Sequence, residues 1–287
     1  MSKPELTNLV RVYCADEEIQ NLDQTHQDWE TATQELRNIE RTEVGISDNC
    51  DLQPIGFTEK INEIKNNPLF KNSFSASAID FKIVDTENIV ASQRNVSLDY
   101  IEKLVEKIPD TPTDEELFDL CISTKQDVPE PKVTQTRTGW VFSSPSVDFR
   151  FLGGFLKDKL TEDDLKFTNV GAQPVRAITA FVGYGSGSIN SYQVGNRLVL
   201  NNGFHRVYAL YKKGIKKIPM VIQKIGNPAI EFPKQLLNLP QEYLLRHRRP
   251  ILVKDFFNEN LTRTFKRKRM MRMISVELAV NPIDFEV

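Results

Sequence analysis

The spacing of apolar positions along this chain changes period several times, most sharply between Arg197 and Ile222. Leu198-Val199-Leu200 is an apolar run of strand length, closed by Asn201-Asn202-Gly203, residues that break strands. Val207, Leu210 and Tyr211 then recur at helical spacing. Gly214 stops the helix after Lys212 and Lys213, and Ile218 to Ile222 resumes an extended run. The pattern predicts strand, glycine turn, helix from about Phe204, and strand.

Upstream, Phe81 to Val90 reads as a strand with a turn at Asp85-Thr86. Ser97 and Asp99 open a helix over Leu98 to Ile108 with Ile101, Leu104, Val105 and Ile108 on one side. Residues 1 to about 75 read as an acidic helical segment. Trp29, Thr33, Leu36 and Ile39 fall near one face, and Ile61, Ile64 and Leu69 form a weaker stripe interrupted at Pro68. Their apolar content is too low for an independent core, so the segment is expected to dock, as a lid or a partner-binding arm.

Pro109, Pro112, Pro129 and Pro131 mark a loop-rich stretch with one short helix near Asp114-Glu115-Glu116. Trp140-Val141-Phe142 and Phe149 to Leu156 are strongly apolar around Gly153-Gly154, a hairpin or extra core element whose aromatic density predicts burial; an exposed patch there would instead mark a binding surface. Ala177 to Val182 and Ile189 to Val194 read as strands flanking a Gly183 to Ser188 glycine-serine loop, which lacks the Lys-Ser/Thr ending of a triphosphate cradle. A helix is expected over Asn260 to Met273 and a last strand over Val276 to Phe285.

Composition narrows the class. The 287 residues are 40% hydrophobic and 26% charged, as in a globular protein. No apolar run approaches the roughly 20 residues that span a bilayer, and the acidic start does not suit a signal peptide, so the expected location is cytoplasmic. Cys14, Cys50 and Cys121 lie far apart outside any C-x-x-C spacing, which suggests reduced thiols and no metal site.

The charge is unevenly distributed. Residues 1–150 carry 15 Lys and Arg against 28 Asp and Glu, a net of −13, and residues 151–287 carry 22 against 11, a net of +11. Cations cluster at Arg246, Arg248 and Arg249, and again at Lys266, Arg267, Lys268 and Arg269. Two consequences are open: a basic surface for nucleic acid or an acidic protein partner, or two halves that pack together and neutralise one another.

The chemistry-bearing residues lie at the turn. A helix N-terminus behind Asn202-Gly203 favours an anion, and Arg206 adds a fork suited to phosphate or carboxylate. His205 is the one histidine placed for catalysis, although such a residue also serves to lock a loop. Asn202 to Leu210, followed by Gly214 to Ile222, resembles the signature of the ParB-like and sulfiredoxin-like fold, and Phe81 to Ile108 resembles that family's opening strand, its short segment ending in Gln93 and Arg94, and its first helix. The resemblance covers about 55 residues.

It implies an α+β chain with a small mixed sheet and helices: a ParB-like core over 78–225 with an insertion at about 109–176, a helical N-terminal region over 1–77 and a basic extension over 226–287. It further implies a nucleotide, with magnesium, or another phosphate ligand held by Asn202, Gly203, Gln93 and Arg94, with His205 and Arg206 as the catalytic pair. Phe204 stands where sulfiredoxins carry their cysteine, which excludes that activity, and the acidic residue that the partition proteins use near their metal is also replaced. The alternative is a non-catalytic interaction or scaffold protein that keeps the fold and binds a partner through its acidic and basic surfaces.

Overall fold

A computed structural model of the chain describes residues 1–74, 78–124, 128–146, 148–168, 171–237 and 239–281. In chain order the elements begin with α1 (Lys3–Tyr13), α2 (Asp16–Gln20), α3 (Leu22–Thr42), β1 (Leu52–Pro54), α4 (Thr58–Asn66) and α5 (Pro68–Ser73). Next come β2 (Ala78–Asp85), β3 (Val90–Ala91), α6 (Leu98–Lys107), α7 (Asp114–Cys121), β4 (Lys132–Gln135), β5 (Gly139–Ser144), β6 (Arg150–Lys157), α8 (Glu162–Leu165) and β7 (Ala177–Gly183). They are followed by β8 (Asn190–Val194), β9 (Arg197–Asn202), α9 (Phe204–Lys212), β10 (Lys217–Lys224), α10 (Pro228–Glu231), β11 (Gln235–Leu236), β12 (Leu239–Pro240), α11 (Gln241–Arg246) and β13 (Arg272–Glu277). The class is α+β.

The elements group into two compact units, residues 1–126 with 186–268, and residues 127–185 with 269–287. The first is built on a six-stranded mixed sheet in the order β1-β2-β10-β8-β9-β3. The β10–β8 and β9–β3 pairs are parallel, and β1–β2, β2–β10 and β8–β9 are antiparallel. Alternation along β9 sends Leu198 and Leu200 to one face, among Ile101, Phe118, Val207, Leu210 and Met220, and Val199 to the other, among Val90, Phe232, Leu244 and Leu252. Both faces of β9 are therefore buried, and its run of apolar residues is unbroken.

This burial explains where the chain's ends go. Residues 232–252 furnish the second face of the sheet, and Ile61, Phe70 and Phe74 from the N-terminal segment join the first. The unit boundaries therefore fall elsewhere than at 77/78 and 225/226. Arg197, 5% exposed, ties three segments: it pairs with Asp48 at 2.7 Å and donates to the Leu244 carbonyl at 3.2 Å.

The second unit holds a three-stranded sheet, β13-β5-β4, and a two-stranded ribbon, β6-β7, with a bulge at Leu152. Tyr184 packs on the buried Phe149 and shares a hydrogen bond with Ser144 at 3.0 Å. Three expectations are corrected. Trp140 on β5 and Phe151, Leu152, Phe155 and Leu156 on β6 are not buried; a two-stranded ribbon has no second layer to cover the four side chains of β6.

No helix forms over 260–273. The backbone around Arg267 instead bridges to Cys14, with Ala15 N–H donating to the Lys266 carbonyl and Lys268 N–H to the Tyr13 carbonyl. Four consecutive cations also repel one another along a helix. The last strand starts at Arg272 and ends at Glu277 rather than running from Val276 to Phe285, because residues 272–277 pair with β5 in register; 282–285 lie outside the described residues.

Candidate functional site

The turn between β9 and α9 is where the sequence concentrates its chemistry. Gly203 has φ +95°, and a Cβ there would lie 2.7 Å from Ile189 Cγ1, so both conformation and space demand glycine. Phe204 starts α9 and packs against the core. His205 Nε2 accepts a hydrogen bond from the Ser97 backbone N–H at 3.1 Å, and its ring meets Tyr100 edge-on with centroids 5.2 Å apart. An accepting Nε2 leaves the neutral ring's proton on Nδ1. Arg206 donates to the Leu120 carbonyl at 3.2 Å.

Asn202 Nδ2 donates to the Ser186 carbonyl at 2.6 Å, which ties the end of the glycine-serine loop to the turn. A polar cluster lies beneath it. Asn190 Oδ1 accepts from Asn201 Nδ2 and from Gln223 Nε2, each at 2.8 Å, and Asn190 Nδ2 donates to the Ser188 carbonyl at 3.1 Å. Asn190, Ser188 and Gln223 are buried and were not marked by the sequence pattern. The signal is confined to Gln223, a polar residue that follows the apolar run Ile218 to Ile222; Asn190 opens a largely polar strand and Ser188 lies in the glycine-serine loop.

Gln93 and Arg94 lie on a segment fixed by Ser92, whose hydroxyl donates to the Leu200 carbonyl at 2.6 Å. Gln93 donates to the Asn95 carbonyl. Arg94 Nη1 stands 3.8 Å from Glu5 Oε1, and its buried Nε has no hydrogen-bond partner among the described residues. The structure thus brings Gln93 and Arg94 to the segment that also supplies Ser97 to His205. The buried Cys121 thiol is pushed up to about 12 by desolvation, with nearby Arg206 opposing, so it remains protonated and poorly nucleophilic.

The two basic clusters disperse. Arg249, 1% exposed, lies in a bidentate pair with Asp255, 2.7 Å at each contact, and pairs with Glu43 at 2.8 Å. Arg246 leans on Glu242 at 3.5 Å, while Arg248 and Arg269 are exposed. Lys266 pairs with Glu17 at 2.8 Å, Lys268 lies 3.7 Å from Asp16, and the Arg267 guanidinium sits over the Tyr13 ring at 5.6 Å. The opposite charges of the chain's two halves meet inside the first unit.

Among the described residues no group of three His, Cys, Asp or Glu side chains is placed to hold a metal ion, and no helix is long and apolar enough to cross a membrane. The cavity beside α9, lined by Ala91, Val96, Phe204, Tyr208 and Phe256, is apolar and has a volume of about 10 Å³, too small for a ligand. A larger hollow of about 280 Å³ lies between α3 and residues 259–262 and touches none of the turn residues. No protein-family model, curated protein or solved structure matches this chain.

Proposed function

We propose that this chain is a non-catalytic interaction protein whose contact surface is the apolar outside of its second unit. One observation carries the reading. Among the described residues of that unit Phe149 is the one buried large hydrophobic side chain, while Phe151, Leu152, Phe155, Leu156, Ile178 and Phe181 on a single ribbon are 49–73% exposed. Apolar surface of this extent on one small element marks a contact site. The first unit acts as a rigid carrier: the side chains of its turn tie neighbouring segments together, and Arg197, Arg249, Lys266 and Lys268 face its own carboxylates. The reading is tested by the fluorescence of an environment-sensitive apolar dye. Wild-type protein should enhance it, and Phe155→Asp with Phe181→Asp should abolish the enhancement while the melting temperature holds. Equal signals from both proteins would refute it.

A second reading, of another class, rests on Arg94. In it the ParB-like core over 78–225 holds a nucleotide or other phosphate ligand between Arg94, Gln93, Asn202, Gly203 and the start of α9, with His205 and Arg206 assisting and magnesium as counter-ion. Its support is the Arg94 Nε atom, buried without a hydrogen-bond partner among the described residues and beside the Glu5 carboxylate, which a phosphate group would displace. Ribonucleotides with Mg²⁺ should then raise the melting temperature of the wild type and not of Arg94→Ala; an unchanged melt with every nucleotide removes this reading.

A further inference from the structure

Arg94 is held more firmly than it is satisfied. Its segment is pinned on both sides, by the Ser92 hydroxyl bonded to the Leu200 carbonyl at 2.6 Å and by the Ser97 N–H bonded to His205 Nε2 at 3.1 Å. Between these pins the guanidinium has a buried Nε with no hydrogen-bond partner among the described residues, and Nη1 stands 3.8 Å from Glu5 Oε1, beyond hydrogen-bond reach. A guanidinium carries five N–H donors in a fixed fork, and a carboxylate that meets the fork squarely takes two of them at about 2.8 Å. Glu5 does not do this.

The Glu5 carboxylate is committed elsewhere. Glu5 is the third residue of α1, and its Oε2 accepts from the Ser2 N–H at 2.6 Å and from the Ser2 hydroxyl at 3.0 Å, closing a capping box with Ser2. Only Oε1 is left to face Arg94. The box sets where Glu5 sits, so the carboxylate screens the guanidinium without saturating it.

α1 is also fastened unevenly. Toward its C-terminal end Val10 and the capping Cys14 are fully buried, and the backbone around Cys14 is bridged to residues 266–268. The first turn rests instead on α3 through polar contacts: Lys3 with Glu30 at 2.9 Å, both partly exposed, and the Met1 carbonyl accepting from Trp29 Nε1 at 3.0 Å. Exposed pairs hold weakly, and a helix end with few buried contacts opens more readily than a buried middle. The first turn can therefore lift while the C-terminal end of α1 stays in place.

We infer that the first turn of α1 is a displaceable plug, in which Glu5 holds the place of an anionic ligand at Arg94 and gives way when a polyphosphate group takes the guanidinium. This rests on the reading of Arg94 as a phosphate-binding residue and adds a built-in competitor to it. A phosphate group supplies the paired oxygens that Glu5 withholds from the fork.

Tripolyphosphate is the probe, titrated calorimetrically into the full chain. Glu5→Gln keeps the capping box, because glutamine serves at that position as glutamate does, and removes the competing charge. It should bind about two- to fivefold more tightly than wild type, the range that an exposed pair allows, with unchanged circular dichroism before the probe is added. Arg94→Ala should not bind. A second readout follows α1 itself. Trp29 and Trp140 are the two tryptophans of the chain, so in a Trp140→Phe background Trp29 reports alone. Saturating tripolyphosphate should change its emission as the Met1 carbonyl leaves the indole N–H, and should leave it constant when Arg94→Ala is added.

Equal affinity of wild type and Glu5→Gln, or constant Trp29 emission at saturation, overturns the plug and leaves the phosphate reading standing. Binding by neither protein, or binding that survives Arg94→Ala, overturns both.

Discussion

His205 accepts a hydrogen bond through Nε2 from the backbone N–H of Ser97, 108 positions earlier in the chain. The bond fastens the segment that leads into α6 to the first turn of α9, two elements that pack together over the sheet. His205→Ala should therefore cost about 1 kcal/mol by leaving that N–H without its acceptor. Chemical denaturation checks this. A loss within error would show that the histidine is not spent on the fold and is available for chemistry.

Gly203 offers a sharper test of the turn. Gly203→Ala places a methyl group 2.7 Å from Ile189 Cγ1 on a backbone at φ +95°. The expected destabilisation is about 2 kcal/mol or more, from overpacking added to left-handed strain. It would be read as a lower denaturant midpoint with the slope unchanged.

Arg249 and Asp255 form the most buried ion pair of the first unit, their side chains 1% and 8% exposed. Removing Asp255 takes away the bidentate partner of a buried guanidinium and leaves it with Glu43 beside it, so Asp255→Ala should cost about 3 kcal/mol, the low end for breaking a buried pair. The same measurement on Arg246→Ala, an exposed cation, should show almost no change.

Glu43 adds a pH dependence. Partial burial alone would raise its pKa, but hydrogen bonds from Lys254 and Arg249 outweigh it and hold the carboxyl below its ordinary value. A depressed folded-state pKa contributes stability that is present above the unfolded value, about 4.3, and is lost as pH falls through the folded value. Melting temperatures between neutral and acidic pH should show this loss, and Glu43→Gln should lower the neutral-pH melt and flatten the acid limb. Parallel curves for the two proteins would contradict the assignment.

Thiol reactivity provides a probe of local opening. Desolvation raises Cys121 to about 12 and Cys50 to about 11, and Cys14 is buried. A thiol reagent should label the native protein slowly and all three cysteines promptly in denaturant. Prompt labelling of native Cys121 would mean that the helix carrying it opens.

Local chemistry made some of the structure legible. The run Leu198 to Leu200, the breaker Asn201 to Gly203, the helical spacing of Val207, Leu210 and Tyr211 and the stop at Gly214 determined β9, the turn and α9, because strand and helix periods and glycine's backbone freedom act over a few residues. Opposite charge in the two halves of the chain was equally plain in the composition.

Tertiary structure decided where those charges go. Glu43 reaches Arg249 across 206 positions, which no local rule supplies. It also turned Lys266 to Lys268 from an expected helix into a segment bridged to residues 13–15, since backbone groups satisfied by a distant segment do not need a helix. Burial was the least legible property: Phe149, between the charged Asp148 and Arg150, and Phe155, between Gly154 and Leu156, stand six positions apart, yet of the two only Phe149 is buried, beneath Tyr184. An apolar side chain is buried only where another element arrives to cover it, and that arrival is a property of the whole fold.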